Sequence, residues 1–332
     1  MTMNRRTALT IGALGAAAGL IGAPRATLAQ APATGAPATG APAPIANTSA
    51  YRFRVGDATV TAIHDGVAYR PLEGFIKNAT VDELKAALAE SFLPTDRYTI
   101  PFTTLVVQTG GKLVLLDTSL GEFGPPSAGL WMANFRAAGF DPAQVDTVVI
   151  SHFHGDHIGG LRRRDGSAVF ARAEIKVPAA EWEFWMDDAK AAAAPDAAKP
   201  AFANARRVFT PMAKDVTRYQ WGQEVAPGIT AVNAAGHTPG HTAFAIASGT
   251  GKLLVMSDTT NNPQVFARNP DWAGVFDQDG DEARVTRHKL LDMAASERMQ
   301  VSFYHAPFPA TGFIARDGAN RYRMVPANWS AA

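Results

Sequence analysis

Ten consecutive residues, Ser151-His152-Phe153-His154-Gly155-Asp156-His157-Ile158-Gly159-Gly160, constrain this chain more than any other stretch of it. The apolar run Thr147-Val148-Val149-Ile150 that leads into them reads as a β-strand, so the histidines stand at a strand end. In extended backbone alternate side chains point the same way, which lets His152 and His154 grip one ion. Past the permissive Gly155, Asp156 and His157 can turn toward a second. A run of solvated loop histidines is the plain alternative, and it leaves the packing together of four ligand-type residues without a purpose.

Cysteine is absent from all 332 residues, which excludes disulfides, thiol catalysis, Cys-ligated zinc and iron–sulfur clusters. Histidine, aspartate and glutamate are left as the strong metal ligands, and there are eight histidines to place. Two ions need more ligands than one cluster supplies. Further candidates follow predicted strands: His237 and His241 in Gly236-His237-Thr238-Pro239-Gly240-His241, Asp258 after Leu253–Met256, and His305 after Val301–Phe303. Ligands gathered from several strand ends onto one rim are a common way for mixed α and β architectures to build a site. The remaining histidines read structurally, His64 as a turn residue and His288 as a solvated or half-buried helix position; His241 reads either as a loop residue or as a group that orients the site.

Lys and Arg total 31 against 30 Asp and Glu, a net charge of +1. So balanced a chain offers no broad basic field for nucleic acid or anionic membranes, and neither is expected as a partner. Residues 1–30 read as an export signal, with Arg5-Arg6 before an apolar Ala/Gly/Leu/Ile run and small residues near Ala29, pointing to the twin-arginine route and a periplasmic or secreted protein. No stable membrane insertion is expected once it is removed. Residues 31–50, with the repeat Ala-Pro-Ala-Thr-Gly, read as a flexible linker, and 51–332 as one catalytic domain.

Within that domain the spacing predicts hairpins turning at Gly56-Asp57 and Gly110-Gly111. Helices are predicted over Thr80–Phe92 with a Thr80/Glu83 capping box, Ser127–Gly139, Ala179–Lys190 and Asp281–Arg298. Strands are expected at Glu174–Val177, Ile229–Asn233 and Phe244–Ala247. Arg162-Arg163-Arg164 reads as a solvated turn, and Trp182 and Phe266 as core.

The ordered set His152, His154, Asp156, His157, His237, Asp258 and His305 resembles the signature of the metallo-β-lactamase superfamily. Leu116-Asp117-Thr118 matches its earlier motif, with Ser119 where glycine is usual. The resemblance implies an α+β fold, a four-layer αββα sandwich of two mixed sheets. It implies one divalent ion on His152, His154 and His237, a second on Asp156, His157 and His305, Asp258 bridging them, and Asp117 in a supporting role. Zinc is the first expectation, with manganese, iron or cobalt also compatible. Asp156 and Asp258 are the catalytic candidates, acting on an activated water held between the ions.

Within the superfamily the chain looks most like methyl parathion hydrolase and the exported lactonases and arylesterases around it, on Lys112–Gly124, Gly236–His241 and Arg321–Ser330. That likeness implies Phe123 and Trp185 as substrate-binding residues. The substrate class expected is a small hydrophobic ester, a lactone such as an acyl-homoserine lactone, or an aryl phosphotriester, and a homodimer stays open. Departures stand at Phe308–Phe313 and after Asp258, in loops expected to border the pocket. The competing readings are a β-lactamase-type amide hydrolase, against which the bridging Asp258 argues, and a non-hydrolytic dimetal redox or binding protein, against which His154 argues because the diiron relatives carry Glu there.

Overall fold

The computed structural model describes residues 49–328, so the export signal and nearly all of the linker read above lie outside the described residues. The first sheet holds β1 Ala50–Val55, β2 Ala58–Arg70, β3 Tyr98–Thr109, β4 Lys112–Leu116, β5 Thr147–Val149, β6 Glu174–Pro178 and β7 Val216–Tyr219, side by side in chain order. The second holds β8 Glu224–Ala226, β9 Ile229–Asn233, β10 Thr242–Ser248, β11 Gly251–Val255, β12 Gln300–Ser302, β13 Thr311–Arg316 and β14 Tyr322–Pro326, in the order 14 to 8. Both sheets are mixed. Strands β4 to β7 run parallel, as do β11 and β12, while the other pairs are antiparallel.

The helices are α1 Val81–Glu90, α2 Trp131–Ala137, α3 Gly155–Ile158, α4 Ala179–Trp185, α5 Asp188–Ala193, α6 Lys199–Phe209, α7 Pro263–Phe266 and α8 Gly280–Ser296. Trp131, Phe135, Trp182, Phe202 and Phe209 pack from α2, α4 and α6 onto Leu115, Val148 and Val177 on the outer face of the first sheet. Its inner face, with Val60, Val114 and Val149, meets Ile229, Phe244 and Leu253 of the second sheet. The outer face of that sheet, through Leu254 and Val301, is covered by Leu290, Leu291 and Ala294 of α8. These layers form the αββα sandwich.

Sequence and architecture connect most directly at β4 and β5. Both are covered on both faces, which explains why they read as continuous apolar runs rather than alternating ones. Each fully buried Val or Leu there contributes roughly 1.5–3 kcal/mol, and the strands end rigidly where the site begins. The hairpins at Gly56-Asp57 and Gly110-Gly111 form as predicted, with Val55 opposite Ala58 and Thr109 opposite Lys112. Thr80 and Glu83 make the reciprocal capping box of α1, and Leu84 and Leu88 seat that helix on Tyr98, Ile100 and Phe102 beside the site.

Three expectations are corrected. The helix predicted over Ala179–Lys190 breaks after Trp185, because the Asp187 carboxylate accepts from the Lys190 N–H at 2.8 Å and starts α5. His64 lies within β2 at a register shift before Gly66, not in a turn. Arg162 is buried, its guanidinium donating to the carbonyls of Val208 at 2.7 Å and Gly166 at 2.8 Å, so only part of the arginine run is solvated. Among the described residues, no helix is long and apolar enough to cross a membrane.

Candidate metal centre

Strands β4, β5, β9, β11 and β12 all release their chains at one rim, and the seven predicted ligands meet there. His152, His154, His237 and Asp258 place one ligand atom each within 4.8 Å of one another, and so do Asp156, His157, Asp258 and His305. Asp258 belongs to both groups. Its Oδ2 lies 3.3 Å from His237 Nε2 and 3.0 Å from His305 Nε2, and its Oδ1 lies 3.3 Å from His157 Nε2.

Sharp backbone turns deliver these side chains. Asp117, Ser119 and Ser257 adopt φ of 61°, 59° and 44° directly after β4 and β11, a conformation costing of order 1–3 kcal/mol for such residues. Gly160 lets the histidine loop touch the β4 loop, since a Cβ there would collide with the Thr118 carbonyl oxygen.

Hydrogen bonds at Nδ1 orient the rings and turn Nε2 inward to the cluster, where His237 Nε2 meets His154 Nδ1 at 3.0 Å and His305 Nε2 meets Asp258 Oδ2 at 3.0 Å. Asp117 Oδ2 accepts from His157 Nδ1 at 2.8 Å and from the Ser151 hydroxyl at 2.7 Å, while the Ser151 oxygen accepts from His152 Nδ1 at 3.0 Å. One carboxylate thus aims an imidazole of each group. His237 Nδ1 donates to Asp277 at 2.9 Å and His305 Nδ1 to the Pro101 carbonyl at 2.8 Å. His241 donates to the Ala234 carbonyl at 2.7 Å and accepts from the Asp258 N–H at 3.0 Å, so it orients the residue common to both groups. Tyr304 donates its hydroxyl to the Asp156 carbonyl at 2.6 Å and lies tilted against the His157 ring, centroids 3.9 Å apart.

What remains is a set of buried atoms that make no hydrogen bond, His152 Nε2, His157 Nε2 and Asp258 Oδ1, the last two facing each other at 3.3 Å. Unsatisfied buried polar atoms are expensive, and three converging ones call for a ligand. Charge points the same way. Burial, followed by the neighbouring imidazole charges, holds His152 and His154 well below the ordinary histidine value, so both offer lone pairs. Burial opposes the charge on His237, yet the bonds and charges of Asp258 and Asp277 raise it to about 9. Buried carboxylates that hold a proton so firmly mark a place for positive charge. Burial likewise opposes ionisation of Asp277, but His237 and Arg287 bring it down to about 2. Histidine and carboxylate donors at these separations fit two divalent ions.

Above the ligands opens a cavity of about 530 Å³, with His154, Asp156, His237, Asp258 and His305 at its base and Ile100, Phe102, Leu120, Phe123 and Phe276 among its walls. Phe123 lines it as expected, 41% exposed, with the Arg207 guanidinium 4.1 Å from its ring centroid. Trp185 does not line it. It is 2% exposed, packs on Phe184 and Phe202 behind His154, and donates its indole N–H to Glu181 at 2.8 Å, so the substrate-contact expectation for Trp185 is corrected to one of support.

Sequence reasoning missed Asp277, Ser151 and Glu181. Glu181 is fully buried and accepts from the N–H groups of Phe153 at 2.8 Å and Gly240 at 2.7 Å, tying the two histidine loops to α4. Its one local signal was a glutamate four residues before Trp185, on the apolar side of a tryptophan-rich helix. Asp277 sits in a loop with no pattern around it.

Residues 99–305 match the profile of the Metallo-beta-lactamase superfamily. The chain belongs to this superfamily. An N-acyl homoserine lactonase from a Bacillus species is 22% identical over 240 residues, 66% of this chain and 87% of the relative. Among solved structures, the dizinc quorum-quenching lactonase AidC, captured with a homoserine product, superposes with a TM-score of 0.80 at 25% identity, covering 86% of this chain and all of that one. The hydrolase AbOPH gives 0.81 at 24% identity with the same coverage. Superfamily membership and the paired His/Asp groups identify a metal-dependent hydrolase with lactonases among its structural neighbours.

Proposed function

We propose that this superfamily member hydrolyses small hydrophobic esters and lactones, with acyl-homoserine lactones and aryl phosphotriesters in the range of substrates to be ranked. The observation that carries the reading is the trio of buried ligand atoms without a hydrogen bond on His152, His157 and Asp258, directly behind the floor of a largely apolar cavity that Asp258 lines. The lactonase names of the neighbours favour a lactone within that range.

His152, His154, His237, Asp156, His157, His305 and Asp258 would hold two divalent ions, which would supply water activation near neutral pH and Lewis acidity toward a carbonyl or phosphoryl oxygen. The chain's own residues do the rest. Asp117, directly and through Ser151, orients His157 and His152 by their Nδ1 atoms so that Nε2 points to the cluster, and Asp277 orients His237 in the same way. Asp258, among the imidazoles of both groups, sets their spacing. Asp156 keeps a partly exposed carboxylate at the cavity floor, its Oδ2 facing His157 and His305, so that the oxygen not engaged by an ion could take a proton from the attacking water and return it to the leaving oxygen. Ile100, Phe102, Phe123 and Phe276 exclude water and bind apolar substituents, which favours neutral esters over sugars or nucleotides.

A metal-reconstituted panel of aryl esters, γ- and δ-lactones, acyl-homoserine lactones, methyl parathion and a cephalosporin tests this. About two ions per chain and a kcat/KM highest on the esters or lactones are expected. A preference for the cephalosporin, or saturable metal binding without hydrolysis of any member, would replace this function with an amide hydrolase or a binding protein.

A further inference from the structure

We infer that Arg287, on the covering helix α8, is a positioning residue that holds the His237 and Asp258 segments in ligating geometry from outside the ligand set. The proposal rests on the two-ion reading of the site, and the test below separates the two.

Arg287 is 1% exposed, and four hydrogen bonds distribute its guanidinium. Nε donates to the Thr259 carbonyl at 2.8 Å, Nη1 to the carbonyls of Pro270 at 2.9 Å and Trp272 at 2.6 Å, and Nη2 to Asp277 Oδ2 at 3.2 Å. Its plane also lies over the Phe266 ring, 5.0 Å from the centroid. Two of these contacts lead to ligands. Thr259 is the next residue after Asp258, and Asp277 holds His237 Nδ1 through its other oxygen at 2.9 Å. The loop is tied again where the Gln278 N–H meets the His237 carbonyl at 3.1 Å.

A buried arginine is costly to desolvate, and a helix meant only to cover the second sheet would present an apolar side chain here, as it does at Leu290 and Leu291. The planar fork reaches acceptors in several directions at once, which a lysine ammonium on a flexible stem does not reproduce. His157 and His305, in the other ligand group, are held by Asp117 and the Pro101 carbonyl and make no bond to Arg287. Removing the guanidinium therefore leaves Asp277 Oδ2 held by the Gly274 N–H at 3.0 Å without its charged partner, weakening the hold on His237, and loosens the Asp258 turn, with the greater loss in the group of His152, His154 and His237.

Zinc titration of the full chain against a chromophoric chelator, followed by long-range ¹H–¹⁵N NMR of the imidazoles, tests this. For Arg287→Met, one stepwise constant should weaken by about 10–100-fold, with His237 and His154 losing their ligated shifts at zinc levels where His157 and His305 keep theirs. Arg287→Lys should recover part of the loss. Asp277→Asn should weaken the same site, and the double variant should add little, because both act through His237. If Arg287→Met fails to fold, Arg287→Lys and Asp277→Asn carry the same comparison. A lowered Tm with both zinc constants unchanged, or equal weakening of both, overturns the positioning role while the two-ion reading stands. A wild-type chain that binds fewer than two ions overturns both.

Discussion

Two cavities of similar size open at opposite ends of the first sheet, and only one is built for chemistry. At the ends of β4 and β5 lies the ligand cavity of about 530 Å³; at their beginnings, between Gly110-Gly111, Lys112 and Asp146, lies a groove of about 660 Å³. In the groove the Lys112 and Asp146 side chains stand at least a third exposed and are already paired, with each other at 3.0 Å and Asp146 with the Leu113 N–H at 2.9 Å. At the ligand cavity most of the charged groups are buried, His152, His157, His237 and His305 are each aimed by a hydrogen bond at Nδ1, and three buried atoms are left without a hydrogen bond. Volume therefore says little about function, whereas polar atoms oriented at a cost and left unsatisfied say a great deal.

The sharpest break of this contrast is Asp258→Ala. It removes the carboxylate shared by both groups and should lower metal occupancy and hydrolysis of every substrate by more than about 100-fold; two tightly held ions and full activity in that variant would end the bridging assignment. Trp185→Ala comes next. Because the indole packs behind His154, its loss should cost about 3–5 kcal/mol in unfolding free energy, read by denaturant titration of the metal-free chain. Should stability hold and substrate preference alone change, Trp185 belongs to the pocket wall after all.

Phe123→Ala should do the reverse. An exposed ring whose best polar contact is a cation–π pair contributes about 0.5–1 kcal/mol, so the fold should persist. As a wall residue it should shift the kcat/KM ratio between bulky and small esters by roughly 10-fold. The smallest effect belongs to the groove. Asp146→Asn should leave kcat/KM within about twofold. The Leu113 N–H and then Lys112 hold the Asp146 carboxyl below its ordinary value of 3.8, so its contribution to stability is present above that value and lost as pH falls through the lower folded one. The variant should unfold with a shallower acid dependence below about pH 4, and an unaltered acid limb would show the pair to be idle.

Elements with strong local signals were legible. The capping box at Thr80 and Glu83, the glycine turns at 56 and 110, and the apolar runs of β4 and β5 each carry their cause within a few residues. The strands β7, β8, β13 and β14 and the helix α6 escaped, because short strands such as Glu224–Ala226 take their form from a neighbour across the sheet. The helix Lys199–Phe209 hid in an alanine-rich stretch whose buried face, Phe202, Ala205 and Phe209, has meaning only against Trp182 and Trp185.

For the site, the sequence by itself determined which residues could ligate: with no cysteine, the H-x-H-x-D-H run and three later His and Asp residues at strand ends were the available donors, and their order pointed to the superfamily. Only the tertiary structure decided how each donor is aimed and what stands behind it. Asp117 reaches across 40 residues to His157, Asp277 reaches back 40 to His237, and Arg287 spans 28 to Thr259. Such partners are chosen by the stacking of layers rather than by local pattern. For the same reason Trp185, which a linear motif places at the pocket, lies behind it: the rotation of α4 against the first sheet is set by packing with α6, and no feature of the residues around Trp185 carries that information.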